Sequence, residues 1–203
     1  MGWTEQRATH YYRNGRVNIK KECDAYFLEG INKGFYRIFR SAMVGSTYYA
    51  AVQKLKRGIT NRETEDEVYE DIPEDELVTF AVIFRTTTDR RSYDNFAYKD
   101  MTEFDAPGQR DCPENILKLL SDTDSKDALE WRNKCHEYNA IRKALNDAPI
   151  GTVVKTDKTF RTPIRKYTKC QTGNKIRWVD LDAYRYTDIT RLVHLNPQII
   201  NKN

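Results

Sequence analysis

The sequence predicts an α+β fold in two parts: an N-terminal antiparallel sheet packed with helices over residues 1–149, then a small SH3-like β module over residues 150–203. Three observations support this prediction. The first part alternates between strand-like and helix-like hydrophobic patterns. The second part contains only short β-rich pieces between turn signals. Basic charge is concentrated in the second part.

The composition indicates a packed intracellular protein. Hydrophobic residues make up 39% of the 203 residues and aromatic residues 12%, which argues against disorder. No apolar run approaches the roughly 20 residues that span a membrane, and the first residues lack the features of a signal peptide. The four cysteines form no CxxC pair; they are Cys23, Cys112, Cys135 and Cys170. We therefore expect a cytoplasmic protein with free thiols, no metal or other cofactor, no membrane contact and no small-molecule substrate.

Short-range patterns predict one helix and four strands before residue 101. Asn18 is suited to cap the helix, because its side chain can accept a hydrogen bond from the first turn. The strongest strand signal is β-branched and aromatic almost throughout, which is typical of a central strand. The predicted elements are a helix at Val17–Glu29 and strands at Phe35–Val44, Tyr48–Leu55, Leu77–Thr87 (the strongest) and Asp94–Asp100.

A dense acidic stretch interrupts these strands. Residues 63–76 contain nine carboxylates and Pro73, with no regular apolar period. This pattern favours a solvated acidic hairpin loop. The alternative is a surface that mimics phosphates and competes for a nucleic-acid groove.

Two helices are predicted before the second part. Asp111 is placed as the N-cap of the first, with Pro113 in its first turn and Glu114 in the capping-box position. The second opens at residues 121–124 and runs to about Asn146. Its expected buried stripe is Ala128, Trp131, Cys135, Tyr138, Ile141 or Arg142, and Leu145.

The second part carries the net positive charge. The chain has 34 basic and 30 acidic residues. Residues 150–203 contain 11 of the basic and four of the acidic residues, which leaves 23 basic and 26 acidic residues in 1–149. The two parts therefore carry +7 and −3, which indicates a polyanion-binding module on a neutral-to-acidic body. The predicted strands of the module lie within residues 152–156, 164–169, 175–181 and 184–194, with a turn at Thr172–Asn174.

Cations and aromatic rings are interleaved along this module. Strand alternation places Lys175 and Arg177 on an exposed face and Trp178 in the core. Cations can pair with phosphates while rings stack on bases. The alternative is a solvated surface on a stabilising subdomain. The predicted phosphate contacts are Arg161, Arg165, Lys166, Lys169, Lys175 and Arg177, with Tyr167 as a stacking ring.

The sequence contains no motif with a strong catalytic mechanism. One constellation suits chemistry: His10 and Tyr11 lie close in sequence to Lys21 and Glu22 around a predicted helix start. His and Glu would exchange protons, Lys would stabilise a phosphorane, and the RNA 2′-OH would be the nucleophile, as in a metal-independent ribonuclease. The alternative is a partly buried His10 that is hydrogen-bonded to the backbone.

Several longer strings resemble one family of proteins. They are Met1-Gly2-Trp3-Thr4, Ala8-Thr9-His10-Tyr11, Lys21-Glu22-Cys23-Asp24, the run from Ser41 to Ala51, Tyr98-Lys99-Asp100-Met101, and Asp111-Cys112-Pro113 through Trp131-Arg132. Over roughly residues 1–150 the chain resembles a family of uncharacterised domains encoded on plasmids, integrative elements and prophages of Firmicutes. The basic module matches that family less clearly.

This resemblance implies an anti-defence role. Proteins of the same mobile-element neighbourhood include anti-CRISPR inhibitors of the type II RNA-guided Cas nuclease, some of which act on the guide RNA. The resemblance therefore implies that the partner is a type II Cas nuclease, its guide RNA or their complex, and that cleavage of the guide RNA is one route to inhibition. The alternative is a non-catalytic protein of a mobile element that binds or mimics nucleic acid.

Overall fold

A computed structural model describes residues 2–29, 33–60, 67–88, 95–159 and 162–201. The chain divides into two compact units, Met1–Cys135 and His136–Asn203. The division falls inside a long helix, earlier than the boundary at residue 149 that the sequence suggests. The reason is that the second half of this helix contributes Tyr138 and Leu145 to the core of the second unit.

The first unit is built on an antiparallel sheet. Its five strands lie in the order β1-β7-β6-β3-β2, and β4 pairs with β5 in a separate hairpin. The strands are β1 (Thr4–Arg7), β2 (Tyr36–Val44), β3 (Thr47–Lys54), β4 (Lys56–Thr60), β5 (Glu67–Asp71), β6 (Thr79–Thr88) and β7 (Asn95–Thr102). The four predicted strands are confirmed as β2, β3, β6 and β7. Strands β1, β4 and β5 were not predicted from the sequence.

Helices cover both faces of this sheet. The helix α1 (Ile19–Leu28) packs Cys23 and Phe27 against one face, and the Asn18 side chain accepts a hydrogen bond from the Lys21 N–H, as the predicted N-cap should. The other face packs against α2 (Glu114–Leu117) and the first half of α3 (Lys126–Asp147). Because β3 is buried on both sides, its apolar residues form a continuous run instead of an alternating pattern.

The start of α2 differs from the prediction. Pro113 occupies the N-cap position, and Asp111 instead accepts a hydrogen bond from the buried hydroxyl of Tyr49. The prediction is wrong because a buried phenol on the sheet needs an acceptor, and local spacing along the chain cannot reveal this long-range demand. Helix α3 begins at Lys126, where the Ser125 hydroxyl accepts from the Ala128 N–H.

The acidic stretch forms a strand in part. Strand β5 places Glu70 opposite Arg57, and Arg57 also donates to Glu76 at 3.0 Å. The predicted loop is therefore wrong for Glu67–Asp71, where cross-strand charge pairs favour a paired strand. Residues 63–66 of the stretch lie outside the described residues.

The second unit contains a five-stranded antiparallel sheet in the order β11-β10-β9-β8-β12. Its elements are β8 (Val153–Lys155), β9 (Lys166–Thr172), β10 (Lys175–Asp180), β11 (Tyr186–Thr187), α4 (Ile189–His194) and β12 (Gln198–Asn201). The predicted turn is confirmed: Thr172 pairs with Lys175 across a two-residue loop in which Gly173 has φ of 58°. Strand β12 was not predicted.

Helix α4 corrects the expectation that the second part contains strands only. Its β-branched residues favour a strand, but the Asp188 carboxylate caps the first turn by accepting from the Arg191 N–H at 2.7 Å. The helix then buries Leu192 and Val193 against one face of the sheet. Trp178 lies in the same core, as predicted.

Candidate nucleic-acid interface

One face of the sheet in the second unit faces away from this core, and we call it the outer face. Directly paired residues of neighbouring antiparallel strands project to the same side, and side chains alternate along each strand. Since Trp178 is buried, its neighbours Arg177 and Val179 belong to the outer face. The register adds the remaining members, so that the outer face consists of Lys155, Lys166, Thr168, Cys170, Thr172, Lys175, Arg177, Val179, Tyr186, Val153 and Gln198.

The outer face carries cations without opposing carboxylates. Lys155, Lys166, Lys175 and Arg177 lie on four positions of three adjacent strands, and none of the outer-face residues named above is acidic. Strands of a sheet lie about 4.8 Å apart, so these charges are close enough to act together. The arrangement creates a positive surface suited to a polyanion.

An aromatic ring orients one of these cations. The guanidinium carbon of Arg177 lies 4.6 Å from the centre of the Tyr186 ring, and Tyr186 itself is exposed. A cation held over a ring loses little further side-chain entropy when it binds a phosphate. Arg177 is therefore a pre-positioned contact, although it is only half-exposed.

Asp180 organises the loop that follows β10. Its Oδ1 accepts hydrogen bonds from the N–H groups of Asp182 at 2.9 Å and Ala183 at 3.0 Å, and its Oδ2 accepts from Arg165 Nη1 at 2.5 Å. Burial alone would raise the pKa of this carboxyl, but the hydrogen bonds from the Ala183 N–H and from Arg165 outweigh it and lower the pKa. Asp180 is thus a structural anion that fixes both the loop and one arginine.

The loop presents Tyr184 to solvent. Tyr184 is 82% exposed and has a left-handed backbone with φ of 53°, which is uncommon for a residue other than glycine. Its N–H donates to the Asp180 carbonyl at 2.9 Å, and the Asp180 N–H donates to the Arg185 carbonyl at 2.9 Å. These hydrogen bonds hold the strained backbone of Tyr184. They leave its ring exposed and free to stack on a base.

Lys169 is not the exposed phosphate contact that was predicted from the sequence. Only 5% of it is exposed, and its ammonium donates to the carbonyls of Leu145 at 3.0 Å, Asn146 at 2.6 Å and Ala148 at 2.6 Å. Burial lowers its pKa. All three donors are used to cap the C-terminal end of α3, which has no basic residue in its own last turn.

The remaining predicted contacts fall into three groups. Tyr167 is buried in the core, where burial raises its pKa, so it cannot stack on a base as predicted. Arg165 is paired with Asp180 and stays partly exposed. Lys166 and Lys175 are exposed on the outer face, together with the half-exposed Arg177 described above. Arg161 lies outside the described residues.

Five exposed residues of the second unit are not among the contacts predicted from the sequence. Tyr184, Arg185 and Tyr186 belong to the interleaved rings and cations but were not assigned as contacts, and Lys155 and Arg191 were not predicted. The strand register that aligns Lys155 with Lys166 depends on long-range pairing, so it leaves no local signal. The loop did leave a local signal. An aspartate such as Asp180 can accept hydrogen bonds from the backbone N–H groups two and three residues later, here those of Asp182 and Ala183.

The predicted catalytic group is brought together only in part. Glu22 is 3% exposed and accepts hydrogen bonds from the N–H groups of Thr9, at 2.5 Å, and of His10. His10 Nδ1 lies 3.4 Å from Glu22 Oε1 and 3.0 Å from the Thr9 hydroxyl. The Tyr11 hydroxyl donates to the Ala8 carbonyl at 2.9 Å, and Lys21 is exposed next to Glu22 on α1. Neighbouring helical residues face different directions, so Lys21 and Glu22 do not share a face.

A second polar cluster on α1 is closed. Asp24 accepts hydrogen bonds from Lys20 Nζ at 2.7 Å, the Ser41 hydroxyl at 2.7 Å and the buried Tyr48 hydroxyl at 2.8 Å. Burial, and then the Asp24 charge, raise the pKa of Tyr48. Each member of the cluster binds another, so it fixes α1 on the sheet and offers no group to a ligand.

Three of the four free cysteines are buried and chemically inert. Burial is the main cause that raises the pKa of Cys23 and of Cys135 to about 12, and it also raises the pKa of Cys112. Cys170 is half-buried on the outer face. Within the described ranges, no three His, Cys, Asp or Glu side chains are grouped to hold a metal ion.

Comparison with known proteins gives no relative from which function can be transferred. No protein-family model, curated protein or solved structure matches the chain. In the part of the chain that the structure describes, no helix has the length and apolar character needed to cross a membrane.

Proposed function

We propose that the protein binds the phosphate backbone of RNA through the outer face of its C-terminal sheet. The observation that carries this proposal is a sheet face with four cations and no carboxylate among its assigned residues. Release of counterions from phosphates supplies most of the affinity in such interfaces and does not depend on base sequence. Tyr184 and Tyr186 add exposed rings beside the cations for stacking on bases.

We further propose that the RNA is the guide RNA of a type II Cas nuclease, and that binding in the cytoplasm inhibits the nuclease. The resemblance of residues 1–150 to mobile-element proteins supports this biological role, and the outer face supplies the means. We also propose that the five C-terminal strands curve into an SH3-like module. A plasmid-interference assay tests the role: the protein should protect a targeted plasmid, and loss of a targeted plasmid despite good expression would contradict it.

A salt titration tests the binding mode. Fluorescence anisotropy with labelled guide RNA should show log affinity falling against log salt with a slope of about −2.8 to −3.6, from about 0.7 to 0.9 for each of four phosphate contacts. Replacing Lys155, Lys166, Lys175 and Arg177 together by Gln should abolish most of that slope and weaken binding to every sequence about equally.

A matched variant controls for total charge. Arg37, Lys54, Lys118 and Lys126 are exposed in the first unit, so changing these four to Gln removes the same charge elsewhere. This control should bind RNA nearly as well as the original protein. If the two quadruple variants bind equally, or if binding ignores salt, the outer face is a solvated surface and the proposal fails.

A second candidate function is metal-independent cleavage of the same RNA. The observation that favours it is the contact of His10 Nδ1 with the buried Glu22, since a carboxylate at one ring nitrogen orients the other for proton transfer. Purified protein incubated with guide RNA in EDTA should shorten the RNA, and His10→Ala should stop this. Intact RNA, or cleavage that survives His10→Ala, would refute the assignment of His10 as a proton-transfer group.

A further inference from the structure

A polar pocket of about 250 Å³ lies in the second unit, beside the core. Three arginines from three separate segments line it: Arg165 precedes β9, Arg185 ends the loop after β10, and Arg191 lies on α4. Tyr167 and Tyr186 contribute rings to its wall. We call this cavity the arginine pocket.

The arginine pocket keeps a net positive charge. Its one carboxylate, Asp180, is occupied by two backbone N–H groups and by Arg165. Arg185 and Arg191 have no carboxylate partner within the part of the chain that the structure describes. Two guanidinium groups are therefore available to one anion, beside a third that Asp180 holds in place.

The size of the arginine pocket limits what it can hold. About 250 Å³ is smaller than the roughly 300–1,000 Å³ of pockets that enclose a whole small molecule. A phosphate group fits this limit, and guanidinium groups bind phosphate oxygens through paired N–H donors. A terminal phosphate monoester also carries more negative charge than a phosphate inside the chain, so arginines favour a strand end.

The arginine pocket shares one residue, Tyr186, with the outer face. Tyr186 belongs to the two-residue edge strand β11, where it lies against Arg177 of the outer face and also lines the arginine pocket. An RNA strand on the outer face can pass over this edge and place its end among the arginines. Among the described strands, β11 is the last one on this side of the sheet.

We propose that the arginine pocket binds the terminal phosphate of the nucleic acid that lies on the outer face. This inference rests on the proposed RNA-binding function and adds preference for a phosphorylated end. The experiment uses the full chain and one oligoribonucleotide sequence in three forms: with a 5′-phosphate, with a 3′-phosphate and with hydroxyls at both ends. One phosphorylated form should bind about tenfold more tightly than the hydroxyl form, the effect of one net charge-assisted hydrogen bond.

Two sets of variants separate the arginine pocket from the outer face. A double variant, Arg185→Gln with Arg191→Gln, should bind the phosphorylated and the hydroxyl forms with about equal affinity. Its affinity for the hydroxyl form should stay within about twofold of that of the original protein. The outer-face quadruple variant should weaken binding of all three forms and keep their ratio. Arg165 is left intact because its bond to Asp180 supports the loop.

Inorganic phosphate distinguishes a strand end from a free anion. Added phosphate should weaken binding of the phosphorylated form until it equals that of the hydroxyl form. If the three forms bind equally while phosphate protects Arg185 and Arg191 in chemical-shift mapping, the pocket holds a free anion and the strand-end inference is overturned. Equal binding without such protection overturns the pocket as a site, and failure of every oligonucleotide to bind overturns the proposed function as well.

Discussion

The sheets of the two units differ in how many of their faces are covered. In the first unit, α1 packs on one face and α2 with part of α3 packs on the other, so strand β3 is buried on both sides. In the second unit, the core side is covered while the outer face keeps four cations and an exposed ring. The difference teaches that charge buried beneath the helices of the first sheet must be satisfied internally, whereas charge on the outer face of the second is available to a partner.

The largest expected effect on stability comes from breaking the buried ion pair of the first unit. Glu103 is 0% exposed, and Arg132 binds it through Nε at 2.6 Å and Nη2 at 2.9 Å while also donating to the Ser121 carbonyl at 2.8 Å. Arg132→Met should lower the free energy of unfolding by about 3–5 kcal/mol, because a buried carboxylate loses its partner. Urea denaturation measures this change. Lys134→Met on the same helix removes only an exposed pair and should leave the unfolding midpoint in place.

Next in size is a contrast between two lysines on strand β9. Lys169→Met should lower the free energy of unfolding by about 2–4 kcal/mol, since three carbonyls at the end of α3 lose their donor. Lys166→Met, three residues earlier on the outer face, should leave the unfolding free energy unchanged and weaken RNA binding. Denaturation and anisotropy on both variants check this. The division into a structural and a binding side is wrong if both lysines affect the same property.

A third test uses the lowered pKa of Asp180. Asp180→Asn should cost about 1–3 kcal/mol near neutral pH, because the carboxylate loses its charge-assisted bonds to the loop and to Arg165. The folded-state pKa lies below the unfolded value, so this stabilisation is present above the unfolded pKa and is lost as pH falls through the folded pKa. The stability gap between the original protein and the variant should therefore narrow below about pH 4. A constant gap from pH 7 to pH 3 would contradict the assignment.

The smallest expected effect concerns the strained residue of the same loop. Tyr184→Gly should raise the free energy of unfolding by about 0.5 kcal/mol, because glycine adopts a positive φ without steric cost. RNA binding should weaken by the loss of one stacking ring, which is worth about 1–3 kcal/mol per base. Tyr184→Ala is the matched control: it removes the ring but keeps the strain, so it should weaken binding without gaining stability.

Much of the first unit and of the long helix α3 could be predicted from sequence because the signals are local. Hydrophobic period placed the α3 stripe, and Trp131, Cys135, Tyr138 and Leu145 are all buried. The residue types within short segments likewise identified the central strand and the Asn18 cap. These features depend on neighbours within a few residues in the chain.

The roles of the polar residues could not be predicted in the same way. Lys169 and Lys166 are both lysines of one strand, and only the position of the end of α3 decides that the first is buried. Asp111 has the spacing of an N-cap, but the buried Tyr49 hydroxyl competes for its carboxylate. In both cases a partner more than 20 residues away in the chain decides the role of the side chain. A single sequence shows the charges and the hydrophobic period, but it does not show which polar groups pair.

The distribution of thiols has a practical consequence for the outer face. Burial holds Cys23, Cys112 and Cys135 in their protonated, unreactive form, while Cys170 lies beside Arg177 in the strand register. A thiol-specific reagent applied to the folded protein therefore reacts selectively at one native position. The chain carries its own attachment point for a fluorophore, and the rate of alkylation at Cys170 becomes a direct footprint of whatever occupies the cationic strands.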